Sequence, residues 1–65
     1  MMTENQREWL KGLYKGATED HLTAASNEHL WALGSDDEEI AAMHEYSAKE
    51  HREFAEILCK FANNI

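Results

Sequence analysis

The sequence predicts an all-α fold of three helices, a short helix pair packed on a long C-terminal helix that self-associates, and three observations carry that expectation. The 65 residues contain no proline, no valine and only three isoleucines, while alanine, leucine, glutamate and lysine are plentiful, a composition that favours helix over strand. Helix start and stop signatures punctuate the chain at short intervals. Between them, apolar residues recur with the 3.6-residue period of amphipathic helices.

The first helix is expected over about 4–15. In "TENQ", Thr3 stands as the N-cap with Gln6 three residues on, the pattern of a capping box, and Gly16 supplies a C-terminal stop. Trp9, Leu10, Leu13 and Tyr14 form its core stripe. Thr18 restarts the chain, with Glu19 and Asp20 in a favourable first turn, and the second helix runs over about 19–33 to Gly34. Its core stripe is Leu22, Ala25, His29, Leu30 and Leu33, with Trp31 on the opposite side. "SDDE" repeats the capping box at Ser35 and Glu38, and the third helix spans about 36–62, roughly 40 Å at 1.5 Å per residue.

That third helix is longer than either expected partner, so its excess needs another cover. Steps of 100° place Ile40, His44, Ser47, His51, Leu58, Ala62 and Ile65 on one apolar face. Met43, Phe54, Ile57 and Phe61 flank it on one side. On the other, Ala41, Ala48, Ala55 and Ala62 recur at a strict seven-residue interval, which lets a second helix approach closely over several turns. This is a helix-pairing seam, and a homodimer is the expectation, with Ala41, Ala48, Ala55 and Ala62 joined by His44, His51, Phe54, Leu58, Phe61 and Ile65 as the self-association surface. Glu45, Lys49 and Glu53, and Arg52, Glu56 and Lys60, are spaced for ion pairs on the solvated face.

Size and charge narrow the function classes. Below roughly 70–80 residues a lone core rarely supplies more than a few kcal/mol, so a staple or a second chain is expected. Cys59 is the only cysteine, which excludes a disulfide within the chain and suits a reducing compartment. No apolar run approaches the roughly 20 residues of a membrane span and no signal-like pattern opens the chain, so a cytoplasmic protein without membrane contact is expected. The net charge is −7, and from Thr18 to Glu45 there are eight acids and no Lys or Arg. Such a middle repels phosphates, so direct nucleic-acid binding is not expected and a basic protein partner is favoured.

No catalytic or metal site emerges. His44 and His51 are seven residues apart, about 10.5 Å along a helix, too far to share one ion, and no carboxylate, His or Cys lies three or four residues from either. A metal site would have to be assembled between helices or chains. Cys59 lacks a base at helical spacing, the three glycines are isolated rather than clustered into a phosphate loop, and no carboxylate pair stands out. The expectation is a non-enzyme without cofactor. The histidines are expected as neutral members of the seam, hydrogen-bonded to Ser47 or Glu50, with a pH-sensitive interface as the sharper alternative.

"SDDEE" has two readings: stabilisation of a helix start by its acids, or a docking surface for a Lys/Arg-rich protein. In the second, Trp31 is the aromatic anchor, and Asp36, Asp37, Glu38 and Glu39 supply the charge.

From Asp36 onward, "DDEEIAAMHEYSAKEHREFAE" resembles the core of the Hha/YmoA family of small bacterial co-regulators, and "TEDHL" at Thr18 to Leu22 is similar to an earlier family segment. The resemblance implies a small helical protein that binds a nucleoid-structuring protein, with Glu50 at the acidic position that meets a basic residue of that partner. In size, charge and style the chain is also similar to small helical early-region proteins of lambdoid phages. The functional expectation is a small acidic regulator acting through protein contacts. An acidic mimic of nucleic acid and an inter-chain metal protein are the alternatives.

Overall fold

Thr3 starts the first helix as its spacing predicts. In the computed structural model, which describes residues 1–65, the Thr3 hydroxyl accepts the Gln6 backbone N–H at 3.1 Å, and the Gln6 side chain accepts the Thr3 N–H at 2.9 Å. The reciprocal pair supplies acceptors for N–H groups that the helix cannot bond internally.

The helix does not stop at Gly16. It continues as α1 over Glu4–Gly34, and after Ser35–Asp37 the chain returns as α2 over Glu38–Asn63, so a two-helix hairpin replaces the expected three helices. Gly16 keeps a negative φ and never enters the left-handed conformation through which glycine ends helices. Thr18, expected as a restart, donates its hydroxyl to the Tyr14 carbonyl at 2.8 Å, a bond of the helix interior. Gly12 and Gly16 inside α1 cost roughly 0.5–1 kcal/mol each relative to alanine. Pairing with α2 along the full length offsets that cost, and a break at residue 16 would forfeit it.

The second start also shifts. Asp37 rather than Ser35 caps α2, its Oδ1 accepting the N–H groups of Glu39 at 2.9 Å and Ile40 at 3.3 Å. Ser35 instead accepts the Asp37 N–H at 3.3 Å and so shapes the turn.

Cross-helix contacts set the register. His21 meets His51 and Glu28 meets His44, so seven residues forward on α1 match seven back on α2. His29 meets Glu45 on the other side of the seam, and between these pairs the register centres on Ala25 opposite Ala48 and Ala32 opposite Ala41, with Thr18 facing Ala55. The buried residues are Ala25, Ala32, Ala48 and Ala55, and no others. Small side chains at a seven-residue interval let the two backbones approach, and this is what the alanine flank does here. The helix it was expected to meet in a second chain is supplied by the same chain.

A hairpin this thin cannot hide its large side chains. Its Cα positions span 52 × 13 × 10 Å. Of the residues expected in the core of the first two helices, Ala25 is buried and Leu10 and Tyr14 are half-buried, whereas Trp9, Leu13, Leu22, His29, Leu30 and Leu33 are exposed. Those assignments presupposed a third element to close over them, and the two-helix chain has none.

Candidate functional site

Trp9, Leu22, Leu30, Leu33 and Tyr46 are exposed singly around the hairpin, but other apolar residues share one side of it. At 100° per residue, Leu10, Leu13, Ala17, Ala24 and Trp31 lie on one side of the seam of α1, and Met43, Phe54, Leu58 and Phe61 lie on the same side of α2. Aromatic contacts stitch the helices together along that side. Tyr14 meets Phe61 at a centroid distance of 5.8 Å, His21 stacks on Phe54 at 5.6 Å, and Trp31 stands edge-on to His44 at 5.4 Å. Leu13, Trp31, Met43, Phe54 and Phe61 are nonetheless each more than half exposed. The hairpin therefore carries one continuous apolar face. Its other side is mixed, with shallow grooves lined by Lys11, Lys15, Ala62 and Asn63 and by Leu22, Arg52, Ala55 and Cys59, and with Thr18 in both.

Between the helices runs a ladder of polar pairs built from all four histidines. His21 and His51 approach Nδ1 to Nδ1 at 2.9 Å, the His44 Nδ1 lies 2.5 Å from Glu28 Oε2, and the His29 Nδ1 lies 2.6 Å from Glu45 Oε1. The first contact needs one ring to donate its N–H and the other to accept. In the other two the imidazole N–H donates to a carboxylate. His44 and Glu28 are largely shielded, with side chains 30% and 20% exposed, while His29 and Glu45 are about half exposed and contribute less. His44 and His51 thus sit one heptad apart because both face α1 across the seam.

Their partners were not those expected. Ser47 and Glu50 form no hydrogen bond with either ring; Glu28 and His21 take those places, and Glu45 turns to His29 rather than to Lys49. His21, Glu28, His29 and Glu45 were not among the site residues read from the sequence. Each of these pairs joins residues 16 or 30 positions apart on different helices, so spacing along one helix gives no signal for it.

The residues expected at the self-association surface divide. Ala48 and Ala55 are buried within the hairpin and Ala41 and Ala62 are half-buried on the same stripe, while His44 and His51 engage α1. Leu58 and Ile65 are half-buried, and Phe54 and Phe61 remain open on the apolar face. Of the expected partner-facing residues, Trp31, Asp36, Asp37, Glu38 and Glu39 gather at the closed end of the hairpin. Glu50 lies about 18 Å further along α2 from Glu38. Asp37 is engaged as a cap, and Glu38 and Glu39 occupy the first turn, where the helix dipole favours acids.

The chemistry elsewhere is sparse. Among the Lys and Arg side chains, ion pairs form only between Lys11 and Glu8 at 3.8 Å and between Lys60 and Glu56 at 3.6 Å, so the acidic middle has no Lys or Arg counter-charge. Cys59 is exposed, with the Asn63 amide donating toward its sulfur at 3.9 Å. No three His, Cys, Asp or Glu side chains gather around a common point, and no helix is long and apolar enough to cross a membrane. Compared with protein-family models, curated proteins and solved structures, the chain finds no match in any of the three.

Proposed function

We propose that this chain is a small non-enzymatic regulator that works by protein contact, pairing with a second copy through the apolar face of its hairpin. The observation that carries this reading is the exposure of Leu13, Trp31, Met43, Phe54 and Phe61 on one side of a chain whose buried residues are four alanines. A helix pair with an apolar face becomes stable when another layer closes over it, and two such hairpins stacked face to face make a four-helix bundle. The face is also large enough. Its Cα outline of 52 × 13 Å, before side chains widen it, comes close to the ~800 Å² per partner of a standard interface.

In this reading the dimer is a platform, and its acidic closed ends are what it displays. Asp36, Glu38 and Glu39 carry charge with no Lys or Arg counter-charge, the chemistry that suits a Lys/Arg-rich protein surface, while Trp31 belongs to the pairing face.

Sedimentation equilibrium on the wild type, Leu13→Glu and Met43→Glu tests the pairing. Both positions are exposed in the hairpin, at opposite ends of the apolar face, so the substitutions leave the intrachain seam untouched. The expected result is a wild-type dimer that each substitution converts to monomer. A monomeric wild type, or variants that remain dimeric, would overturn the proposal. Ala48 is unsuitable for this purpose, because any larger side chain there would disrupt the hairpin itself.

A further inference from the structure

Three polar pairs cross between the helices, and they are not alike. In two of them a histidine faces a carboxylate, Glu28 or Glu45, so each pair is complementary whenever the ring is protonated. The third sets two imidazoles against each other, His21 and His51, with Nδ1 atoms 2.9 Å apart and ring centroids 5.1 Å apart. Neither carries an anionic partner in the hydrogen-bond or ion-pair contacts of the chain. As neutral rings they share one hydrogen bond and leave the donor and acceptor roles interchangeable.

We propose that His21 and His51 are a two-point binding site for a divalent transition-metal ion, which clips α1 to α2 at mid-length. The two rings meet nearly head-on, with each Nδ1 close to the line between the ring centres, so an ion would be held once the rings turn their lone pairs toward a common point. Metal–imidazole bonds of about 2.0–2.1 Å set two nitrogens about 2.9 Å apart at a right angle and about 3.3 Å apart in a tetrahedron, separations that rotation of the rings reaches from the present contact. Two imidazole nitrogens select zinc, copper or nickel over magnesium and calcium, which take oxygen ligands.

The fold also keeps the two ligands together. Each histidine stands on a different long helix, both rings are half-buried, and His21 lies against Phe54 at 5.6 Å. No third protein ligand gathers at the pair, so water completes the coordination and the ion exchanges freely. Because the ligands come from two helices, binding favours the paired hairpin over the unfolded chain. Residues thirty apart in sequence become one site only through the fold, which is why helical spacing along either helix alone misses it.

The experiment is a titration of the full chain with zinc chloride, followed by long-range proton–nitrogen NMR spectra of the imidazoles. The Nδ1 resonances of His21 and His51 should move together and saturate at one ion per chain, while magnesium chloride leaves them in place. Thermal melting should rise by about 5–10 °C at free zinc ten times the dissociation constant. His21→Asn and His51→Asn should each abolish that rise, and His29→Gln should retain it. The wild-type spectra decide the matter even where a variant folds poorly. Imidazole resonances unmoved by millimolar zinc, or zinc captured instead by His29, His44 or the Cys59 thiol, would overturn the proposal.

Discussion

Ala48 has no solvent exposure at all, in a chain where most residues are exposed. It lies level with Ala25, and the small size of both side chains fixes how closely the helices approach. A larger residue must push the backbones apart and loosen the seam on either side, including the ladder of histidine pairs. Ala48→Leu, which adds apolar volume without charge, should therefore destabilise the hairpin by about 1–3 kcal/mol through overpacking. Thermal melting followed by circular dichroism should show a fall of about 4–8 °C for each kcal/mol. An unchanged melting temperature would mean that the helices stand too far apart for alanine to be required. The same reasoning separates this position from Met43, where the side chain is exposed and substitution leaves the seam alone.

At the scale of the helix, the decisive residue is Gly16. Nothing lies within 4 Å of where a Cβ would stand at this position, and its φ is not positive, so alanine fits both the space and the backbone. Gly16→Ala should stabilise the protein by roughly 0.5–1 kcal/mol, seen as a melting temperature several degrees higher. A loss of stability would instead restore the helix end that local signals suggest. Those signals, a glycine followed by Thr18, Glu19 and Asp20, describe a helix stop and restart correctly as local chemistry. What overrides them is the length of the partner. The clue was legible in a different register: Lys11, Thr18, Ala25 and Ala32 keep one heptad phase straight through residue 16, which an interrupted helix would not preserve. Helical content, the Thr3 cap and the alanine stripe follow from short-range rules and were readable in advance. The partner of the stripe and the matches His21–His51, Glu28–His44 and His29–Glu45 depend on which helix lies opposite, and periodicity along one helix carries no such information.

At the scale of the whole molecule, charge decides how two hairpins should stack. The closed end carries Asp36, Asp37, Glu38 and Glu39, while Arg7, Lys11, Lys15 and Lys60 lie toward the open end. A parallel dimer would set the two acidic ends side by side. An antiparallel dimer sets each acidic end beside the open end of the other copy, where bases and the acids Glu4, Glu8 and Glu56 nearly balance, and separates the acidic ends by nearly the 52 Å length of the hairpin, far beyond the ~8–10 Å over which salt screens such charges. The antiparallel arrangement should prevail, and the single native cysteine measures it. Cys59 is exposed and lies away from the pairing face, about eight residues from the middle of α2. Around a two-fold axis at mid-length, two such residues stand about 25 Å apart along an antiparallel bundle, whereas a parallel one leaves them level. Adding a width of about 20 Å across two helical layers, spin labels on Cys59 should give a distance near 30 Å by pulsed electron resonance. A distribution centred near 20 Å would show that the hairpins pair in parallel, with the repulsion of their acidic ends overcome by the packing of Trp31, Met43, Phe54 and Phe61.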